Sequence, residues 1–341
     1  MPSNNFPKTR YQGSKYKLIP FLRDIFSGLD FNTVLDAFSG TCSVAYLLKT
    51  MNKTVYANDV LKFNSYIAKA FIENNDTIVG DKHIKDIMFY ENEGYKSIIQ
   101  DNFKDIYYLD EENIWLDKIV QNIENYSNEY EKCLLYWALF QACLIKRPYN
   151  LFHRKNLHIR TADVKRRFGN KATWDKDFSY SFKKFVAEAN LAVIDNGKRN
   201  IALNIDVFDI DIKPDLVYID TPYIPVKGSL TQYREFYHFL EGIVNYGIWE
   251  SKIDISSKHK KLVSEYCVWE DKNKIDMAFG DLFDKFKESI IVVSYRDDGI
   301  PSIDRLQAML KDLNKKTTVY REDYKYALSK RTTKEVVIVA E

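Results

Sequence analysis

The sequence predicts an α/β fold, a Rossmann-like sheet interrupted by one long insertion. Short β-branched apolar stretches alternate with helical periodicity near the N-terminus, and similar stretches return in the second half. Residues 78–198 between them break that alternation. The first strand is expected at TVLDAF (33–38), which turns through FSGT into the helical SVAYLLKTM. The second, TVYAND (54–59), ends in an acid and leads into a helical run from Val60. Buried strands are expected again at NIALNID (200–206), LVYIDTP (216–222) and SIIVVSYR (289–296). TTVYREDYKYAL and KEVVIVAE then read as an antiparallel pair at the sheet edge. Inside the insertion, NEYEKCLLYWALFQACLIK has apolar residues at helical spacing, and the stretch after it is basic and loop- or hairpin-like. Residues 1–77 and 199–341 are therefore expected to form one ligand-binding domain, with 78–198 inserted into it.

A chain of 341 residues is long for one compact core, which agrees with that division. Hydrophobic residues at 45% and charged ones at 29% are ordinary for a globular protein in water. Most of the 24 Tyr and 21 Phe are expected in the core, so base stacking needs a local argument. The net charge of +2 says little about nucleic acid, because distribution matters more than the sum. Four cysteines (Cys42, Cys133, Cys143, Cys267) form no C-x-x-C pair and have no His at ligand spacing. That argues against metal sites and disulfides and for a reducing compartment. The polar N-terminus has no signal-peptide core, and no run of about 18 apolar residues occurs. A cytoplasmic location with no membrane partner is expected.

In an open α/β sheet, ligands lie beyond the carboxyl ends of the strands. The first strand delivers Asp36, Phe38 and Gly40 to that edge. The second delivers Asp59, 23 residues after Asp36, a spacing that suits an acid accepting from ribose hydroxyls. A dinucleotide needs several glycines around its pyrophosphate, yet FSGTCS holds only Gly40. A cofactor without phosphates fits better, such as S-adenosyl-L-methionine, whose ammonium Asp36 would accept and whose carboxylate the next helix N-terminus would hold. In RYQGSKYKLIPFL, Gly13 permits close backbone approach and Lys15 would reach a carboxylate. Asp206, followed by Phe208, would accept the cofactor's adenine amine. Plainer readings stay open: a strand-to-helix turn, a helix cap for Asp59, a surface turn for Gly13 and Lys15, a loop acid for Asp206.

The segment LVYIDTPYIP runs an apolar strand into a carboxylate, a rigid turn and a ring. This suits attack by an aromatic amine, whose lone pair is delocalised and poorly nucleophilic. Two acceptors on its N–H groups would shift the nitrogen toward a tetrahedral, reactive form. The Asp220 carboxylate would be one and the Thr221 carbonyl the other. Pro222 removes a competing donor and biases Thr221 toward extended backbone, and Tyr223 would stack on the base. SYRDDG (294–299) is expected to line the same pocket. The aromatic stripe over 233–249, with His238, reads as a core helix.

Taken together these segments resemble bacterial DNA adenine-N6 methyltransferases of the maintenance and restriction–modification type, the alpha group of amino-methyltransferases. RYQGSKYKL is similar to that family's N-terminal cofactor motif, which brings in Tyr11 with Gly13 and Lys15. DAFSGTC is similar to its Asp-x-Phe-x-Gly-x-Gly motif, ANDV to its ribose acid, NIDVF to its adenine-binding segment, and DTPY to its catalytic Asp-Pro-Pro-Tyr. The resemblance implies a methyltransferase sheet with an inserted target-recognition domain, adenosylmethionine as cofactor, and a cognate restriction endonuclease as partner. Thr221 replaces the first proline and Cys42 the second glycine, where it is expected to crowd the methionine portion.

The most one-sided charge run is Lys146–Lys171, with nine Lys or Arg against the single acid Asp163. Arg147, Asn150, His153, Arg154, Lys155, Arg160, Lys165, Arg166, Arg167 and Lys171 are the expected contacts to double-stranded DNA. The target adenine must leave the duplex, and Tyr326 is a second candidate ring to stack on it. Two alternatives share these motifs: a catalytically silent DNA-binding subunit of the same fold, and a cytosine-N4 or RNA amino-methyltransferase.

Overall fold

The computed structural model describes residues 6–8, 10–164, 171–226, 230–324 and 333–341. Among them, seven strands form one sheet: β1 (Thr33–Asp36), β2 (Thr54–Asn58), β3 (Ile201–Leu203), β4 (Leu216–Ile219), β5 (Ile290–Arg296), β6 (Thr317–Tyr324) and β7 (Thr333–Ala340). Their spatial order is β3-β2-β1-β4-β5-β7-β6. β1 to β5 pair in parallel, and β7 enters antiparallel between β5 and β6, with Arg296 opposite Glu335. The expected α/β fold is thus present, and β6 is the edge of its C-terminal pair.

Successive strand residues serve opposite cores, as the two-residue strand period requires. Val34, Val55, Leu216, Tyr218 and Val292 face one helical layer, with helices Ile19–Ser27, Ser43–Thr50 and Lys62–Ala68. Leu35, Val217, Ile219, Ile291 and Val293 face the other, with helices Ile275–Lys285 and Ile303–Asp312. Burial on both faces explains why these strands read as continuous apolar runs.

The first of these cores continues into residues 78–198. Helix Glu129–Ile145 is buried along most of its length and packs on helix Phe178–Ala192, Trp137 meeting Phe185 edge to face. No strand occurs among the described residues of 78–198, so of the loop or hairpin expected in its second part they show helices joined by loops and turns. Phe178, Phe182, Phe185, Val186 and Ala189 recur at helical spacing, and their shared apolar face decides the outcome. His238 lies wholly buried beside the Tyr107 hydroxyl, at 2.7 Å, as a core residue. No helix among the described residues is long and apolar enough to cross a membrane.

Candidate active site

Strand order reverses between β1 and β4, and their carboxyl ends part there to leave a crevice. A cavity of about 630 Å³ occupies it, bordered by Asp36, Asp59, Asp206 and Asp220 from the ends of the first four strands. The turn after β1 is tied to both neighbours: Ala37 N donates to Tyr218 O at 3.0 Å and Ser39 N to Asn58 O at 2.8 Å. Asp59 braces the same turn, accepting from Gly40 N at 2.9 Å and from Leu61 N at 2.8 Å. Burial pushes its pKa up to about 6, against the pull of those N–H groups.

The backbone of this turn is left-handed at Gly40 (φ 48°) and again at Cys42 (φ 62°). The second value is why a glycine suits that position. The Cys42 side chain is wholly buried in the core and does not border the cavity, which corrects the expectation that it crowds a ligand. Asp36 is 1% exposed, and its Oδ1 has no hydrogen-bond partner among the described residues. Burial, and then the nearby carboxylates of Asp220 and Asp59, hold its pKa well above the usual range.

At one end of the cavity Asp206 accepts from Phe208 N at 3.0 Å, capping a short turn. Phe208 lies parallel to Trp269, with ring centroids 5.8 Å apart, and Phe38 meets the same indole edge-on at 5.1 Å. Sequence reasoning missed Trp269, which sits in a region whose pattern signals only burial.

Asp220 stands at the opposite end. Lys15, which the sequence assigned to a cofactor carboxylate, is committed elsewhere: its Nζ is 2.9 Å from Asp220 Oδ1 and 2.9 Å from Glu335 Oε1. Burial raises Asp220 to about 6, which Lys15 partly offsets. Thr221 and Pro222 border the cavity, but Tyr223 is not part of its lining, nor is any residue of SYRDDG. The Tyr223 ring packs edge-on to Tyr295 at 5.9 Å, under the Arg296 guanidinium at 5.2 Å. Tyr233, also missed, does border the cavity, and it stacks on Tyr11 at 5.5 Å while Tyr237 stacks on Tyr11 at 4.4 Å. Gly13 (φ 82°) makes its close approach to Tyr233, since a Cβ there would lie 2.4 Å from the Tyr233 hydroxyl.

The basic segment divides. Arg147 is 2% exposed, donates to Leu151 O at 3.0 Å and Arg154 O at 3.1 Å, and lies over the Tyr107 ring at 4.2 Å. Arg160 is buried and grips Glu112 with two hydrogen bonds of 2.8 Å, and Lys146 joins the same carboxylate. These two arginines are therefore corrected from DNA contacts to internal braces, because both are buried and their hydrogen bonds run to internal acceptors. Arg154, Lys155 and Lys171 are exposed, and Asn150 and His153 are half-buried. Lys165, Arg166, Arg167 and Tyr326 lie outside the described residues.

Residues 11–298 match the family model of D12 class N6 adenine-specific DNA methyltransferases. The chain is similar to the type II methyltransferase M2.HphI of Haemophilus parahaemolyticus, at 28% identity over 98% of this chain and 96% of that protein. It is 29% identical to modification methylase StsI of Streptococcus sanguinis, over 89% of this chain and 46% of that protein. Against the type II methyltransferase M.FokI of Planomicrobium okeanokoites, identity is 25% over 94% of this chain and 50% of that protein. The chain thus spans nearly all of the first relative and about half the length of the other two. With the family model covering most of its length, including the strand-end acids and the DTPY turn, the chain belongs to the D12 class N6 adenine-specific DNA methyltransferases.

Proposed function

We propose that the chain transfers a methyl group from S-adenosyl-L-methionine to N6 of a flipped adenine, at a defined site in double-stranded DNA. The observation that carries this reading is one cavity with two unlike carboxylates. Asp220 is held by a lysine at one end, and Asp36 keeps a buried oxygen without a partner among the described residues. The residues fit the cofactor. A buried acceptor suits its ammonium, four strand-end acids suit a cationic ligand and repel phosphates, and the Phe38, Phe208 and Trp269 rings beside Asp206 suit a purine. When bound, S-adenosyl-L-methionine supplies an electrophilic methyl on a sulfonium.

The chain's own residues do the rest. Asp220 and the Thr221 carbonyl accept from the two N6–H groups, and the pair turns the nitrogen lone pair out of the ring's conjugation. Pro222 leaves no amide hydrogen to compete at the turn. Tyr233 supplies a ring at this end of the cavity. The segment 78–198 meets the duplex, with Arg154, Lys155 and Lys171 on phosphates and Asn150 and His153 beside them, so that the flipped base reaches the crevice. The names of the relatives support a role in a restriction–modification system beside an endonuclease of the same site specificity.

Asp220→Ala tests the reading. Labelled methyl incorporation into duplex DNA is expected to fall by roughly a hundredfold or more, while calorimetry still records cofactor binding. A variant that methylates as fast as the parent refutes the role of Asp220.

A further inference from the structure

Glu335 lies on β7, far in sequence from every motif of the site, and its side chain is wholly buried. Its Oε1 receives Lys15 Nζ at 2.9 Å and Ser294 Oγ, from β5, at 2.8 Å. The same lysine nitrogen reaches Asp220 at 2.9 Å, so one ammonium links β7 to the end of β4. Fold stability alone does not account for this acid. Desolvating a charged triplet costs about as much as its attraction returns, and the following Val336–Ala340 run shows what the strand interior otherwise takes.

We propose that Glu335 is a positioning residue for methyl transfer. It anchors Lys15 so that the ammonium fixes the Asp220 carboxylate and leaves the other oxygen to the target amine. By sharing the lysine's charge, it also preserves Asp220's strength as an acceptor. This rests on Asp220 gripping the amine, as proposed above. The groups facing Asp220 are Lys15 from the N-terminal segment, Glu335 from β7, Asp36 from β1, Tyr218 on its own strand and Tyr233 from helix Tyr233–Phe236. Of these, Lys15 holds Asp220's pKa down and Glu335 holds it up.

The experiment compares Glu335→Gln, Glu335→Asp and Asp220→Ala in the full chain by single-turnover methylation across pH. Glu335→Gln keeps the shape and loses the charge. Its rate is expected to fall about tenfold at unchanged cofactor KM, with the acid limb of the profile displaced to lower pH. Loss of folded protein alone would lower the amplitude and leave the limb in place. Glu335→Asp keeps the charge but draws it back by one methylene, so its rate falls while its limb stays with the parent. If Glu335→Gln melts below assay temperature, the Asp variant carries the test, and a parent-like rate there overturns the proposal. A folded Glu335→Gln with parent rate and parent profile overturns it too. If Asp220→Ala is inactive in either case, the catalytic reading survives and only the positioning role falls. An active Asp220→Ala removes the reading itself.

Discussion

Substituting Gly13 by alanine separates two accounts of the N-terminal motif by the sign of the effect. If Gly13 merely sat in a surface turn at negative φ, Gly13→Ala would restrict the unfolded ensemble and stabilise the protein by about 0.4–1 kcal/mol. The structure predicts the opposite. At φ 82° an L-residue is strained by about 1–2 kcal/mol, and the added methyl would lie 2.4 Å from the Tyr233 hydroxyl. That hydroxyl cannot retreat alone, because the ring is stacked on Tyr11 with its plane only 11° off parallel. Displacing it forfeits about 0.5–1.5 kcal/mol of ring contact. The expected loss is about 2–3 kcal/mol, a melting shift of roughly 3–4 °C for a chain of 341 residues. Scanning calorimetry measures the shift, and cofactor titration should show weakened binding, since Gly13 and Tyr11 both border the cavity. An alanine variant that melts at or above the parent temperature would refute the geometry.

Two further outcomes follow from the same cavity and from the basic segment. Asp36 titrates well above the usual carboxylate range, and a bound cation needs it ionised, so cofactor binding should release a proton as pH is lowered toward its pKa. Affinity should then decline on acidification earlier than an ordinary aspartate would make it. Calorimetry in buffers of different ionisation enthalpy measures the release, and a null result with unchanged affinity removes Asp36 from cofactor binding. Arg147→Ala should destabilise the fold by about 2–4 kcal/mol, because it strips a buried stem and two capped carbonyls. Arg154→Ala and Lys155→Ala should melt like the parent yet weaken DNA binding, each making the plot of log affinity against log salt shallower by about 0.9. Parent-like melting of Arg147→Ala with lost DNA affinity would reverse that division.

The sheet was legible because strands buried on both faces must be apolar throughout, and few other segments of this chain combine that character with turn residues at both ends. The strand-end acids were legible for a related reason. Asp36 and Asp220 each terminate an apolar run, a placement that burial penalises unless a ligand or a cation compensates. The basic segment misled because counting charges along a chain does not reveal which side chains turn inward. Arg147 and Arg160 point to Tyr107, Tyr108 and Glu112, all distant in sequence. Trp269 and Tyr233 carried no signal beyond hydrophobicity, and only tertiary contact brings them to the cavity.

Glu335 is different, because the sequence does carry a signal for it. KEVVIVAE places an acid on each side of the apolar run VVIVA, and the leading one, Glu335, repeats the arrangement that marked Asp36 in TVLDAF and Asp220 in LVYIDTP. Because β7 runs antiparallel to β5, its beginning rather than its end lies at the sheet edge where the parallel strands deliver their carboxyl-terminal acids. The acid that reports on the ligand edge is therefore the one at that end of the strand, whichever way the strand runs. For an antiparallel strand the residue to inspect lies near its beginning, and here Glu335, the third residue of β7, shares Lys15 with Asp220.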